Sequence, residues 1–211
     1  MMKKDLVVFI AHIDDFECSC FGYLFKHYKE YDRIKIVTAT TWGKKLPIWK
    51  SNLELIPSDI LDKIDDINLE FPQRLLHSYH DTLKDKFYKL MDFDKRFDIL
   101  THDENDCHTD HTILFKIAKG MYKYCNRFTT IYSPSSAHFN PNYFIGLEDD
   151  QYNLKKTALD KYDINKDQSY TKLGYYLQSE EHYNIGRAHV LENYVFDDYK
   201  HYEIYKIIKW L

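Results

Sequence analysis

The chain has 211 residues, with 29 Lys and Arg against 33 Asp and Glu and a formal charge of −4, and an isoelectric point near 6.2. That length fits one sizeable domain over 1–211 with a well-buried core, and the acidic balance leaves no electrostatic footprint for nucleic acid. The 19 tyrosines lack the basic stripe that base stacking needs, and no stretch approaches the roughly 20 apolar residues of a membrane span.

The first apolar run, Leu6-Val7-Val8-Phe9-Ile10-Ala11, reads as a buried strand. Lys3 and Lys4 before it imitate an export signal, but His12 cuts the run short of the roughly 7–15 apolar residues such a signal needs. His12-Ile13-Asp14-Asp15-Phe16-Glu17 follows, and the helical pattern of 16–31 begins inside it. A second strand is predicted over 33–40. The stretch from Trp42 to Phe71 is less regular and carries Pro47 and Pro57, so a substrate-side loop region is expected there. A helix over 81–91 and a strand over 97–101 lead to the cluster His108-Thr109-Asp110-His111. That cluster opens a helical pattern over 111–124, with Ile113, Leu114, Ile117, Ala118 and Met121 on its apolar face.

A strand over 128–132 comes next, then loops at Ser133-Pro134-Ser135-Ser136 and Asn140-Pro141-Asn142. Helices are predicted around 149–162 and 170–193, and the loosely alternating tail 201–210 is read as a closing strand. Strands alternating with helices in this way define an α/β protein with a mainly parallel sheet flanked by helices. The cysteines, Cys18, Cys20, Cys107 and Cys125, show no CxxC spacing; Cys18 and Cys20 would at most share one side of an extended segment. A reduced, cytoplasmic compartment is expected.

Both acidic-histidine clusters fall where a predicted strand ends, the edge at which open α/β sheets bind ligands. Imidazole and carboxylate together are the ligand set of zinc or a similar divalent ion. His12 and Asp15 can converge on one ion from the turn after the first strand, and His111 can complete the site. Asp14 points elsewhere and can accept a proton from water. His108, three residues before His111, shares its face and leans over the open position. Asp110 would fix the tautomer of His108 and favour its protonated form, so that His108 stabilises an oxyanion or protonates a leaving amine. Taken singly, either cluster reads as well as a capping acid beside a solvated histidine; the pair points to a mononuclear metal hydrolase. His102 and Asp103 lie at the same strand end and read equally as loop residues. Glu17 reads as a partner of the ligands or as an acid complementing the helix dipole.

Ala11-His12-Ile13-Asp14-Asp15-Phe16-Glu17 resembles the A-H-P-D-D-x-E signature of the PIG-L/LmbE family of zinc-dependent N-acetylglucosamine deacetylases. Thr101-His102 with Asn105-Asp106-Cys107-His108-Thr109-Asp110-His111 is similar to that family's T-H…N-D-x-H-P-D-H segment. Weaker echoes run through Phe139–Phe144 and from Lys155 to Tyr162, so the resemblance spans nearly the whole chain. It implies a Rossmann-like fold and hydrolysis of an N-acyl group, usually acetyl, from a small amino-sugar substrate. It also implies Zn²⁺ or another divalent transition metal on His12, Asp15 and His111, with Asp14 as base and His108, oriented by Asp110, as stabiliser and acid. Ile13 and Thr109 stand where the family has proline, and Ser19 and Phe21 where glycines are common. The family's substrate-side arginine has no clear counterpart: Lys50 is the nearest candidate, and Gln73 stands where an acidic sugar-binding residue is often found. Self-association stays open, with the tyrosine-rich tail as a candidate interface. Two other readings stand beside the deacetylase: an amidase of the same metal chemistry acting on a thiol conjugate or other non-sugar amide, and an inactive metal-holding carbohydrate-binding protein.

Overall fold

The computed structural model describes residues 4–40, 43, 45–163 and 199–210. Seven strands form one sheet. In chain order they are β1 (Lys4–Ile10), β2 (Arg33–Thr40), β3 (Ile64–Phe71), β4 (Arg96–His102), β5 (Arg127–Ile131), β6 (Tyr143–Leu147) and β7 (His201–Trp210). The helices are α1 (Asp15–Ser19), α2 (Phe21–His27), α3 (Leu46–Leu53), α4 (Ser58–Leu61), α5 (His80–Lys89), α6 (Thr109–Lys119) and α7 (Asp149–Asp163). Spatial order is β3-β2-β1-β4-β5-β7-β6. The first five strands are parallel, and β7 runs antiparallel to both β5 and β6. The sheet is thus mainly parallel, Rossmann-like and flanked by helices.

Strand β1 shows why. Its side chains alternate between two apolar layers and both are filled. Leu6, Val8 and Ile10 pack with Phe16, Phe21, Leu24 and Trp49 on one face. Val7, Phe9 and Ala11 pack with Leu83, Phe87, Leu114 and Ile117 on the other. Phe9 and Phe87 stack at 3.8 Å between ring centroids. A strand buried on both faces needs a continuous apolar run, and that is what the sequence carries. Because β1 is followed by β2 on one side and β4 on the other, the chain reverses its direction of winding between β1 and β4. The carboxyl ends of these two strands form the crevice in which such sheets bind ligands.

The stretch from Trp42 to Phe71 corrects the expectation of a loop: α3, α4 and the edge strand β3 lie within it. Pro47 sits in the first turn of α3 and Pro57 caps α4, positions where the missing N–H costs nothing. The acids that disguise β3 have cationic partners, Asp65 with Arg33 and Asp66 with Lys50. The helix expected over 16–31 is broken at Cys20 (φ −126°), giving α1, α2 and a 3₁₀ turn at Tyr28–Glu30. Cys18 therefore lies on a helix and Cys20 at the break between two helices rather than on one extended segment, and all four cysteines are free. Strand β6 follows the Asn140-Pro141-Asn142 loop and has no sequence signal of its own. The tail is a strand, as its alternation predicts. The helix predicted around 170–193 lies outside the described residues. Among the described residues, no helix is long and apolar enough to cross a membrane.

Candidate metal centre

The turn after β1 is tied by two of the candidate ligand residues. The His12 N–H donates to Asp15 Oδ2 at 2.8 Å, and Asp15 N–H donates to the His12 carbonyl at 3.3 Å. This closes residues 12–15 although Ile13, a buried core residue, stands where proline would stiffen the turn. Asp15 Oδ2 then lies 3.3 Å from His12 Nδ1, 3.4 Å from His111 Nε2 and 3.4 Å from His102 Nε2. His111 Nε2 is 3.2 Å from His12 Nδ1.

Those three separations among His12, Asp15 and His111 fit a metal. Ligand atoms about 2.0–2.1 Å from a tetrahedral zinc stand about 3.3–3.4 Å from one another. Each imidazole also has its own carboxylate behind it. His111 Nδ1 meets Asp106 Oδ2 at 2.9 Å, and His12 Nε2 lies 3.4 Å from Asp110 Oδ2. In metal sites such partners fix the ring and turn the other nitrogen towards the ion. The set matches borderline transition ions such as zinc better than calcium or magnesium, which favour all-oxygen shells.

Proton affinities express the same crowding. Burial opposes charge on His12, yet Asp15 and Asp110 push it up to about 9. Burial likewise opposes His111, but Asp15 and Asp106 lift it to about 10. Asp15, against its own burial, is held well below the usual carboxylate range by His111, His102 and His12. His102 goes the other way, pushed down to about 4 by burial and by the neighbouring His111 charge. It is fully buried, stacks on His111 at 3.7 Å and accepts the Ala11 N–H at 3.0 Å through Nε2. His102 therefore holds the end of β1 where the ligand turn begins, a place the sequence leaves undecided between site and loop.

His108 caps α6, with Nδ1 accepting the Asp110 backbone N–H at 3.2 Å. That bond requires Nδ1 unprotonated and puts the proton of the neutral ring on Nε2. The His108 ring lies 4.7 Å from that of His12 and 4.5 Å from that of His111. Burial and these two neighbours lower its proton affinity. The expected pairing of the Asp110 carboxylate with His108 is therefore not the arrangement seen. That carboxylate accepts from Arg74 N at 2.7 Å and Leu76 N at 3.4 Å and faces His12. Helix geometry explains it: at the first turn the Asp110 amide, not its side chain, points back at the capping residue.

Asp106 stands in the second motif with no role that the sequence assigns. It receives the His108 backbone N–H at 2.8 Å, the Ser135 hydroxyl at 2.6 Å and the Ser133 hydroxyl, besides the His111 ring. The signal that finds it is the unassigned second nitrogen of a ligand histidine, which calls for a buried acceptor within a turn or so. Asp103 is structural, accepting from Thr130 Oγ1 at 2.7 Å. Glu17 is neither a ligand's partner nor a solvated helix-start acid. It is buried between Asn52 Nδ2 and Tyr162 OH, both at 2.9 Å, and burial pushes it up to about 8.

Asp14 pairs with Lys45 at 3.0 Å. Lys50, on α3, is exposed and pairs with Asp66. Gln73 is half-buried, one residue before the segment that Asp110 clamps.

No family model and no curated protein sequence matches this chain. Solved structures do. N,N'-diacetylchitobiose deacetylase from Pyrococcus horikoshii superposes with a TM-score of 0.67 at 13% identity, over 97% of this chain and 83% of that one. The conserved protein TT1542 from Thermus thermophilus gives 0.65 at 19% identity, over 100% and 96%. GalB, the 4-carboxy-2-hydroxymuconate hydratase from Pseudomonas putida, gives 0.58 at 16%, over 98% of this chain and 96% of that one. At such identities the likeness is one of fold, and that fold serves both a deacetylase and a hydratase.

Proposed function

We propose that this chain is a metal-dependent hydrolase of the PIG-L/LmbE type that removes an N-acyl group, acetyl first, from an N-acetylglucosamine-type amino sugar or its conjugate. The observation that carries the reading is the trio His12 Nδ1, Asp15 Oδ2 and His111 Nε2, mutually 3.2–3.4 Å apart, with carboxylates behind both imidazoles. These three residues would hold Zn²⁺ or a related divalent ion, which supplies Lewis acidity for an amide carbonyl and lowers the pKa of water.

The protein's own groups do the rest. Asp14, in the same turn as two of the proposed ligands, takes the proton of the attacking water as the C–O bond forms. His108, with its proton on Nε2, donates to the oxygen that gains charge as the acyl carbon becomes tetrahedral. Asp14 then returns its proton to the departing amine nitrogen as the C–N bond breaks. Asp106 and Asp110 keep the ligand rings from turning. Lys50 and Gln73 are the proposed sugar-side contacts.

The sugar substrate rests on the motif resemblance and on the fold shared with a deacetylase of diacetylchitobiose. The hydratase on the same fold makes water addition to a carbon–carbon double bond the competing chemistry. One panel decides: acetate release from N-acetylglucosamine conjugates, acyl release from non-sugar amides and hydration of an enol-type diacid, each with and without added Zn²⁺. Acetate release from a sugar, falling by at least about 100-fold in Asp14→Asn with metal content unchanged, is the expected result. Release only from non-sugar amides makes the protein an amidase. No turnover from metal-loaded protein removes the enzymatic reading.

A further inference from the structure

The doublet Asp14-Asp15 places two carboxylates on one turn, and the structure separates their partners. Asp15 Oδ2 is surrounded by imidazole nitrogens. Asp14 Oδ2 accepts a hydrogen bond from Lys45 Nζ at 3.0 Å. Lys45 lies 31 residues further on, at the N-cap of α3, and its ammonium stands 5.7 Å from the centre of the Tyr162 ring of α7. Both partners of the ion pair are largely buried, with 12% and 14% of their side chains exposed. The β1–α1 turn and the start of α3 thus meet in one ion pair, with α7 beside its ammonium.

We infer that Lys45 is a positioning residue for Asp14, its hydrogen bond to one carboxylate oxygen holding the side chain in one rotamer. The inference rests on the reading of Asp14 as the base. Its physical content is rotational. An aspartate at a helix start has several staggered side-chain states, and a base serves only in the one that reaches the reacting proton. An ammonium anchored by its backbone at α3 and flanked by an aromatic face selects a single state. A misplacement of about 1 Å at a reacting group costs about 100-fold in rate. The sequence draws attention to Lys50 as the cation of this region; among the described residues, Lys45 is a cation that touches the proposed base.

The test compares metal-loaded wild type, Lys45→Met, Lys45→Arg, Lys45→Ala and Asp14→Asn by steady-state kinetics, metal content and crystallography. Lys45→Met is expected to lower kcat by about 10–100-fold with KM and bound metal unchanged, and its crystal structure to show Asp14 in a different or mixed rotamer. Lys45→Arg keeps a cation and recovers part of the rate. Added propylamine restores Lys45→Ala, which a merely structural side chain would not allow. If Lys45→Met turns over at the wild-type rate while Asp14→Asn is dead, Lys45 has no positioning role and the hydrolase reading stands. If the rate falls but the crystal structure keeps Asp14 in its wild-type rotamer, the inference is overturned as well. If wild-type protein releases no acyl group at all, the base that Lys45 would serve does not exist, and both fall together.

Discussion

Two buried charge clusters lie at opposite edges of the same sheet, and they are built differently. At the amino edge, Asp98 accepts from Lys4 Nζ at 3.0 Å, Tyr31 OH at 2.8 Å and Arg127 N at 3.1 Å. Glu30 takes Lys4 and Arg127 at 3.0 and 3.1 Å. Two cations meet two carboxylates, and of the Arg127 nitrogens only Nε lacks a hydrogen-bond partner. At the carboxyl edge, three imidazoles crowd one oxygen of Asp15, and two of them are driven to bind protons at about 9 and 10. The first cluster is matched by its own members. In the second, the imidazoles around Asp15 gain proton affinity from it. A buried polar cluster that satisfies itself contributes to the fold; one with strongly shifted groups is a candidate site.

The sharpest way to break this comparison is to remove one carboxylate from the amino edge. Asp98→Ala leaves Lys4 and Arg127 without it in a buried setting, and stripping one partner from a buried pair costs about 3–5 kcal/mol. Urea unfolding should show that loss, while kcat of the protein that remains folded is unchanged. A stable Asp98→Ala with damaged turnover would mean that the two edges are not separable.

At the other edge the equivalent change should register in metal binding. Asp106→Asn removes the acceptor behind His111, and Asp110→Asn the one behind His12. Loss of such a partner lowers metal affinity by about 10–100-fold, to be read by competition against a chromophoric chelator. Unfolding of the metal-free variants should move far less than in Asp98→Ala. Equal affinities in wild type and variants would detach these carboxylates from the metal site.

The clusters are unequally legible in the sequence. β1 is visible because a strand buried on both faces is continuously apolar, β2, β4 and β5 through short runs rich in β-branched and aromatic residues, and the two motifs stand out because they follow such runs. The direction of Asp110 is hidden: only the geometry of a helix start turns its amide, rather than its carboxylate, towards His108. Asp106 could be found only by asking what the second nitrogen of His111, 5 residues on, would meet, and Lys45 is invisible as a partner, since Asp14 lies 31 residues away in sequence and the contact depends on how separate segments dock. β3 is masked by Asp65 and Asp66, which read as loop acids until Arg33 and Lys50 are seen beside them. The whole amino-edge network escapes, because Lys4, Glu30, Asp98 and Arg127 share no local pattern.

The edges should also respond to pH in opposite directions. In metal-free protein His12 and His111 bind protons more tightly than the ordinary imidazole, near 6.5. Their contribution to stability is full below about 6.5 and disappears as pH rises through about 9 and 10. Glu30 is held down to about 2: its burial is outweighed by hydrogen bonds from His27 and Lys4. Its contribution is full above the ordinary glutamate range and lost as pH falls towards 2. Thermal melts of the apo protein should therefore soften at both extremes, and metal should abolish the alkaline loss. Calorimetric titration with Zn²⁺ at pH 7, in buffers of different ionisation enthalpy, should show protons released from both imidazoles. Metal binding without proton release would contradict the assigned charge states.

The smallest effect concerns Lys50. Its ion pair with Asp66 has a lysine more than half exposed, and such surface pairs are worth about 0–1 kcal/mol. Lys50→Ala should hardly change the melting temperature. The same weakness makes the lysine available: little is lost when it leaves Asp66 for a hydroxyl or phosphate on an arriving sugar conjugate, which it would meet as a point charge. The expected signature is a raised KM with kcat held, the mark of an interaction made equally in ground and transition states. Lys45→Met, acting through the base, should show the reverse pattern of reduced kcat at constant KM. Should Lys50→Ala leave both constants unchanged, the pair with Asp66 is no more than an edge-strand contact, and sugar recognition belongs to the segment around Gln73 that Asp110 holds against the site.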